Sequence, residues 1–124
     1  MKKLTTLAAL LMTILIAGTA LAHGDRAEFD GVVQSVGGLQ FELVKKNNAA
    51  VIFVQNHGKK VSTDGAKGTL MVAKGAVKTE VPLQPGGDNS METNGDAKLV
   101  PGTTAIAVIT FADNKTVKVN FTIK

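Results

Sequence analysis

Two histidines are the residues of this 124-residue chain whose chemistry points most directly to a ligand. If His23 begins the processed chain, its α-amine and its imidazole form a chelate on one metal ion. His57 would add a second imidazole, and three nitrogens suit the tetragonal geometry that Cu(II) favours. Asp25 or Glu28 could add a carboxylate oxygen. The pattern therefore predicts a copper site built from His23, His57 and Asp25.

Simpler interpretations of the same residues stay open. His57 lies in an Asn-His-Gly segment, a typical polar turn in which histidine needs no partner. Processing must leave some residue first, so His23 can stand there by chance. Asp25 and Glu28 can be solvated charges. Met91 is expected to pack in the interior rather than to bind Cu(I).

The beginning of the chain predicts export. Lys2 and Lys3 are followed by an uncharged, apolar stretch over residues 4–21, and Ala20 and Ala22 form an A-x-A cleavage site. These are the three parts of a secretory signal peptide. An uncleaved anchor is the alternative, because the apolar stretch is nearly long enough to span a bilayer. The charged residues directly after the A-x-A site favour cleavage.

Cleavage after Ala22 divides the chain into three parts. Residues 1–22 are the signal peptide, residues 23–30 a flexible leader and residues 31–124 a single domain, large enough to bury one core. The expected location is the periplasm. No second long apolar stretch follows, so the mature protein is predicted to lack a membrane span.

The composition argues against several classes of function. Loss of Lys2 and Lys3 lowers the formal net charge of +4 by two, and the remaining basic residues are scattered, so nucleic-acid binding has no support. The chain contains no cysteine, which excludes disulfides, thiolate chemistry and cysteine-bound zinc. No nucleophile motif, phosphate-binding loop or dinucleotide fingerprint appears. The protein is therefore not expected to be an enzyme.

The mature sequence has the pattern of short strands and turns. Residues 39–45 alternate apolar and polar side chains, residues 51–54 form an apolar β-branched and aromatic stretch, and residues 116–123 alternate again. The Gly/Pro/Asn-rich residues 82–90 are expected to form the longest irregular loop. Seven to nine short strands without an amphipathic helix predict an all-β, immunoglobulin-like antiparallel β-sandwich.

Three segments of the mature chain carry a resemblance to known proteins. Residues 31–44, residues 54–61 and residues 81–89 resemble a group of small periplasmic β-sandwich proteins and domains, which occur beside or within the adaptors of heavy-metal efflux pumps. In that group a His-Gly-Gly precedes the first strand, and a second histidine lies in an Asp-His-Gly-Lys turn. Here His57 matches the second, whereas Phe29-Asp30-Gly31 replaces the first.

The resemblance implies metal handling without catalysis. The expected function is a periplasmic metal-binding or metal-resistance accessory protein that binds copper and hands it over, with a metal-efflux adaptor as the implied partner. The alternative is a non-metal protein–protein interaction module that uses a sheet edge, for example residues 32–36, or its loops.

Overall fold

The structure is a computed structural model, and it describes residues 26–124. The predicted signal peptide, its cleavage after Ala22, and the candidate ligands His23 and Asp25 lie outside the described residues. No helix in the described part of the chain is long and apolar enough to cross a membrane.

Nine strands make up the described chain, and no helix lies between them. The strands are β1 (Val32–Val36), β2 (Leu39–Lys46), β3 (Ala49–Asn56), β4 (Lys59–Lys60), β5 (Lys67–Lys74), β6 (Val77–Gly87), β7 (Ser90–Thr93), β8 (Thr104–Thr110) and β9 (Thr116–Thr122). All pairings are antiparallel. The prediction of an all-β fold with seven to nine short antiparallel strands is confirmed.

The strands form one hydrogen-bonded sheet in the order β1-β2-β3-β7-β6-β5-β8-β9, with the short β4 paired to β3. The two ends of this order, β1 and β9, lie side by side, so the sheet is nearly closed and resembles a barrel. A sandwich has two separate sheets, whereas here β7 links β3 to β6 and joins all the strands.

The alternating strands place their apolar side chains inside the nearly closed sheet. Buried apolar residues alternate along β2 (Phe41, Leu43) and β3 (Ala50, Ile52, Val54), and the intervening Glu42 and Val51 are covered as well. The largest fully buried side chains are Phe41, Phe121, Ile52, Leu70, Met91 and Ile109. The complete burial of Met91 agrees with its expected role in packing.

The prediction of an irregular loop over residues 82–90 is wrong for most of its length. Strand β6 continues through Gly87, and β7 begins at Ser90. The first half of β6 pairs with β5 and its second half pairs with β7. Pro82 and Pro85 therefore each lie where only one side of the strand is paired, and a register shift follows Pro85, so the missing N–H groups are tolerated.

Candidate functional site

His57 occupies the tight turn between β3 and β4. His57 and Gly58 have φ angles of 52° and 82°, the left-handed pair that a two-residue hairpin turn requires. Histidine is among the few non-glycine residues that adopt this conformation with some frequency. The side chain is exposed to solvent. The predicted polar turn is confirmed, and it presents an accessible imidazole at one end of the sheet.

The charged groups near this turn do not engage strongly with one another. Lys60 Nζ lies 3.9 Å from Asp88 Oδ2, and the two side chains are 70% and 83% exposed. An ion pair this exposed adds little to stability. Both groups are therefore available to solvent and to incoming ions.

The leader is attached to the outer face of the sheet through one buried carboxylate. Glu42 Oε1 accepts a hydrogen bond from the backbone N–H of Glu28, and Oε2 accepts from the N–H groups of Phe29 and Gly31, each at 2.8 Å. The Glu42 side chain is 5% exposed. Hydrogen bonds to an ionised acceptor are stronger than neutral ones, so Glu42 fixes the course of this segment.

Side chains extend the attachment from β2 onto β3. The ring of Phe29 stacks on that of Phe53, with centroids 4.3 Å apart and planes inclined by 28°. The amide nitrogen of Gln55 donates to the carboxylate of Glu28. Since Phe53 and Gln55 both face outward on β3, the leader covers a strip of this strand that leads toward the turn.

The direction of the leader bears on the predicted copper site. Gln40 Nε2 donates to the backbone carbonyl of Arg26 at 3.1 Å. Gln40 is paired with Gln55, which lies two residues before His57. Followed from Gly31 back to Arg26, the leader runs along β2 toward the end of the sheet that carries the His57 turn.

Gly31 is the point at which the leader approaches the sheet most closely. A Cβ atom at this position would press against the carbonyl oxygen of Leu43 and lie 2.9 Å from both Glu42 Cγ and Val44 Cγ2. Backbone contact this close excludes any side chain. Glycine at position 31 is therefore required by the docked leader.

Replacing Gly31 by alanine should loosen the leader. Because the new methyl group meets backbone that cannot move aside, we expect a loss of about 2 kcal/mol in the free energy of unfolding. Amide hydrogen exchange should become faster at Glu28, Phe29 and Gly31. Gly95→Ala is the control, since nothing lies within 4 Å of a Cβ there. Unchanged protection at the three amides would contradict this account of the contact.

The structure describes the positions of His57 and Glu28 among the predicted ligands, and it shows no contact between them. His57 and Glu28 lie at the same end of the sheet, while His23 and Asp25 are outside the described residues. Among residues 26–124, no three His, Cys, Asp or Glu residues cluster closely enough to hold a metal ion.

Sequence reasoning missed the residues that direct the leader. Glu42, Gln40 and Gln55 lie at outward positions of predicted strands, where polar side chains are expected in any case. Phe29 was the available signal, because an aromatic residue in an otherwise polar leader needs apolar surface to cover it.

Fold and geometry together define a class: an all-β antiparallel domain with a nearly closed sheet and an N-terminal segment docked toward an exposed histidine turn. No protein-family profile, curated protein or solved structure matches the chain.

Proposed function

We propose that the chain is a periplasmic metal-binding accessory protein that captures copper and hands it over without catalysis. The observation that carries the proposal is the course of the leader, which is held at Arg26 beside Gln40 and runs toward the His57 turn. Export by a signal peptide over residues 1–22 is part of the proposal, because cleavage after Ala22 makes His23 the first residue.

The lengths involved support a shared site. His23 lies three positions before Arg26, and three extended steps of the chain span at most about 10 Å. The anchor at Gln40 is paired with Gln55, two residues before His57. We infer from these short spans that the new terminus meets the turn while the contacts of Glu28, Phe29 and Gly31 are kept.

The chemistry of the ligands favours copper. The α-amine and imidazole of His23 would form one chelate, and the imidazole of His57 would supply a third nitrogen. Imidazole and amine nitrogens in a tetragonal arrangement suit Cu(II), which also binds such sites more tightly than the other divalent first-row ions. Asp25 would supply a carboxylate oxygen next to the chelate.

An exposed site also suits transfer of the ion. His57 is in a solvent-facing turn, so a partner can approach the bound metal directly. The resemblance of residues 54–61 to domains of heavy-metal efflux systems makes a metal-efflux adaptor the proposed acceptor.

The proposal is tested by titrating the exported, cleaved protein with Cu(II) and recording electron paramagnetic resonance spectra. We expect one tetragonal, nitrogen-rich site, with affinity lowered at least about tenfold in His57→Asn, because loss of a direct ligand costs no less than loss of a residue that only supports a ligand. Asparagine is chosen because it keeps the left-handed turn. Lys59→Gln in the same hairpin is the matched control and should bind as the parent does.

Two results would overturn the two-histidine site. Equal affinity in the parent and His57→Asn would mean that only the free N-terminus binds the ion. Intact-mass analysis showing that the mature chain does not begin at His23 would remove the terminal chelate.

An interaction module that uses the β1 edge is the second candidate, and the arrangement of the strands does not favour it. Strand β9 lies beside β1, on the side that an added strand would need.

A further inference from the structure

A second concave site lies at the opposite end of the sheet from His57. It is formed by the turns that follow β2 and β5 and by the segment between β7 and β8, and it has a volume of about 460 Å³. Small-molecule sites fall in the range of roughly 300–1,000 Å³ and are frequent at the mouths of β-barrels. Neither the metal site nor the leader uses these residues.

The walls of this pocket expose apolar surface. Val77 is 68% exposed and Val100 is 38% exposed, and they are two of the three large hydrophobic side chains exposed within residues 26–124. Both line the pocket, above a floor that includes the buried Val72 and Leu99. Apolar side chains that are exposed together in a concavity indicate a contact surface for an apolar group.

The rim of the pocket is cationic. Lys45, Lys74 and Lys98 line it, and Asp96 is the one acidic residue among the lining side chains. The Asp96 carboxylate already accepts a hydrogen bond from the backbone N–H of Lys98, at 2.8 Å. Within the described chain, none of the three lysines forms an ion pair. Three ammonium groups without an ion pair around the opening of one pocket favour binding of an anion there.

Lys98 is held at the rim by an uncommon backbone conformation. Its φ angle is 54°, in the left-handed region that is unfavourable for a non-glycine residue of its type. The strain is compensated locally by the bond to Asp96 and by the N–H of Val100, which donates to the Lys98 carbonyl at 3.0 Å. The backbone of Lys98 is thereby held in place beside the pocket.

We propose that this pocket binds a small amphipathic anion, a free carboxylate with a medium-length apolar body. The apolar body would lie between Val77 and Val100, and the carboxylate would face the three lysines. The inference does not depend on the copper site, since the two sites lie at opposite ends of the sheet.

Decanoate is a suitable probe, with 1-decanol and decyltrimethylammonium as neutral and cationic probes of equal chain length. Titrations of the ¹⁵N-labelled protein below micelle-forming concentrations should show decanoate shifting amides of the three segments that form the pocket. Decanol should bind more weakly at the same residues, and the cation should shift none of them.

The triple variant Lys45→Gln, Lys74→Gln, Lys98→Gln should lose about tenfold in decanoate affinity, the sum expected of three partly screened contacts.

A second triple variant distinguishes binding in the pocket from nonspecific electrostatic attraction of decanoate to the protein. Lys59→Gln, Lys115→Gln, Lys118→Gln removes the same charge from exposed positions outside the pocket, and it should bind decanoate as the parent does. Val77→Ser should weaken decanoate and decanol alike. Equal losses in the two triple variants, shifts spread over the whole surface, or decanol binding as tightly as decanoate would each overturn the proposal. Vesicles containing anionic lipid that compete better than free decanoate would reassign the pocket to a membrane headgroup.

Discussion

Glu42→Ala should cost about 3 kcal/mol in the free energy of unfolding. The substitution leaves the N–H groups of Glu28, Phe29 and Gly31 without their acceptor. Each unsatisfied donor in a partly buried setting costs about 1 kcal/mol or more. Chemical denaturation, with equal slopes for parent and variant, measures the loss.

Two further variants identify the source of the loss. Glu42→Gln keeps one carbonyl oxygen and should recover roughly half of the stability, since neutral hydrogen bonds are about half as strong as charge-assisted ones. Glu80→Ala removes an exposed carboxylate from β6 and should change stability by less than about 0.5 kcal/mol. If Glu42→Ala and Glu80→Ala behave alike, Glu42 does not hold the leader.

Gly68→Ala should have a comparable effect through packing of the backbone. Strand β5 is paired on both sides, with β6 and with β8. A Cβ atom at Gly68 would press against the carbonyl oxygen of Val108 and lie 3.2 Å from the Ile109 Cα. Because neither atom can rotate away, we expect a loss of about 3 kcal/mol and a melting temperature lower by more than 10 °C.

The comparison for this variant is again Gly95→Ala, where the added methyl group meets open space. That substitution should leave the melting temperature within about 2 °C of the parent. A Gly68→Ala protein as stable as the control would mean that β5 and β8 separate easily at this point, contrary to the pairing described.

Strands with strict alternation were predictable from the sequence. In β9, Val119 and Phe121 are buried while Lys118, Asn120 and Thr122 are exposed, as the period of two requires. The stretch of residues 51–54 in β3 was identified differently, as a continuous run of β-branched and aromatic residues typical of a central strand. These elements follow from local chemistry, because burial of one face is enough to determine them.

Residues 82–87 were not predictable in this way. Glycine and proline are the usual signals of a loop. Pro82 and Pro85 nevertheless lie in a strand, because β6 pairs with one neighbour before Leu83 and with another after it. That change of pairing partner depends on where β7 lies in the sheet, and the local sequence of β6 does not indicate the position of β7.

The candidate site was predictable at His57 and not along the leader. The Asn-His-Gly segment predicted the turn correctly, since it contains the residue types that a left-handed pair demands. The alternation of apolar and polar residues predicted that Glu42 lies on the solvent-facing side of β2, and its side chain does point outward. It is buried because residues 28–31 cover it. These residues lie 11 to 14 positions from Glu42 in the sequence, and a contact over that separation produces no repeating pattern by which it could be predicted.

Near-closure of the sheet has a consequence for the order of events during folding. The last strand, β9, pairs with β8 and lies beside β1, so the first and last strands of the domain are neighbours. Val119 and Phe121 are part of the buried core, and they can pack there only after residues 116–122 have been synthesised. A chain still emerging from the ribosome therefore lacks part of its interior and cannot complete the barrel. Folding of residues 26–124 is therefore expected to finish only when the last strand, β9, has joined the sheet.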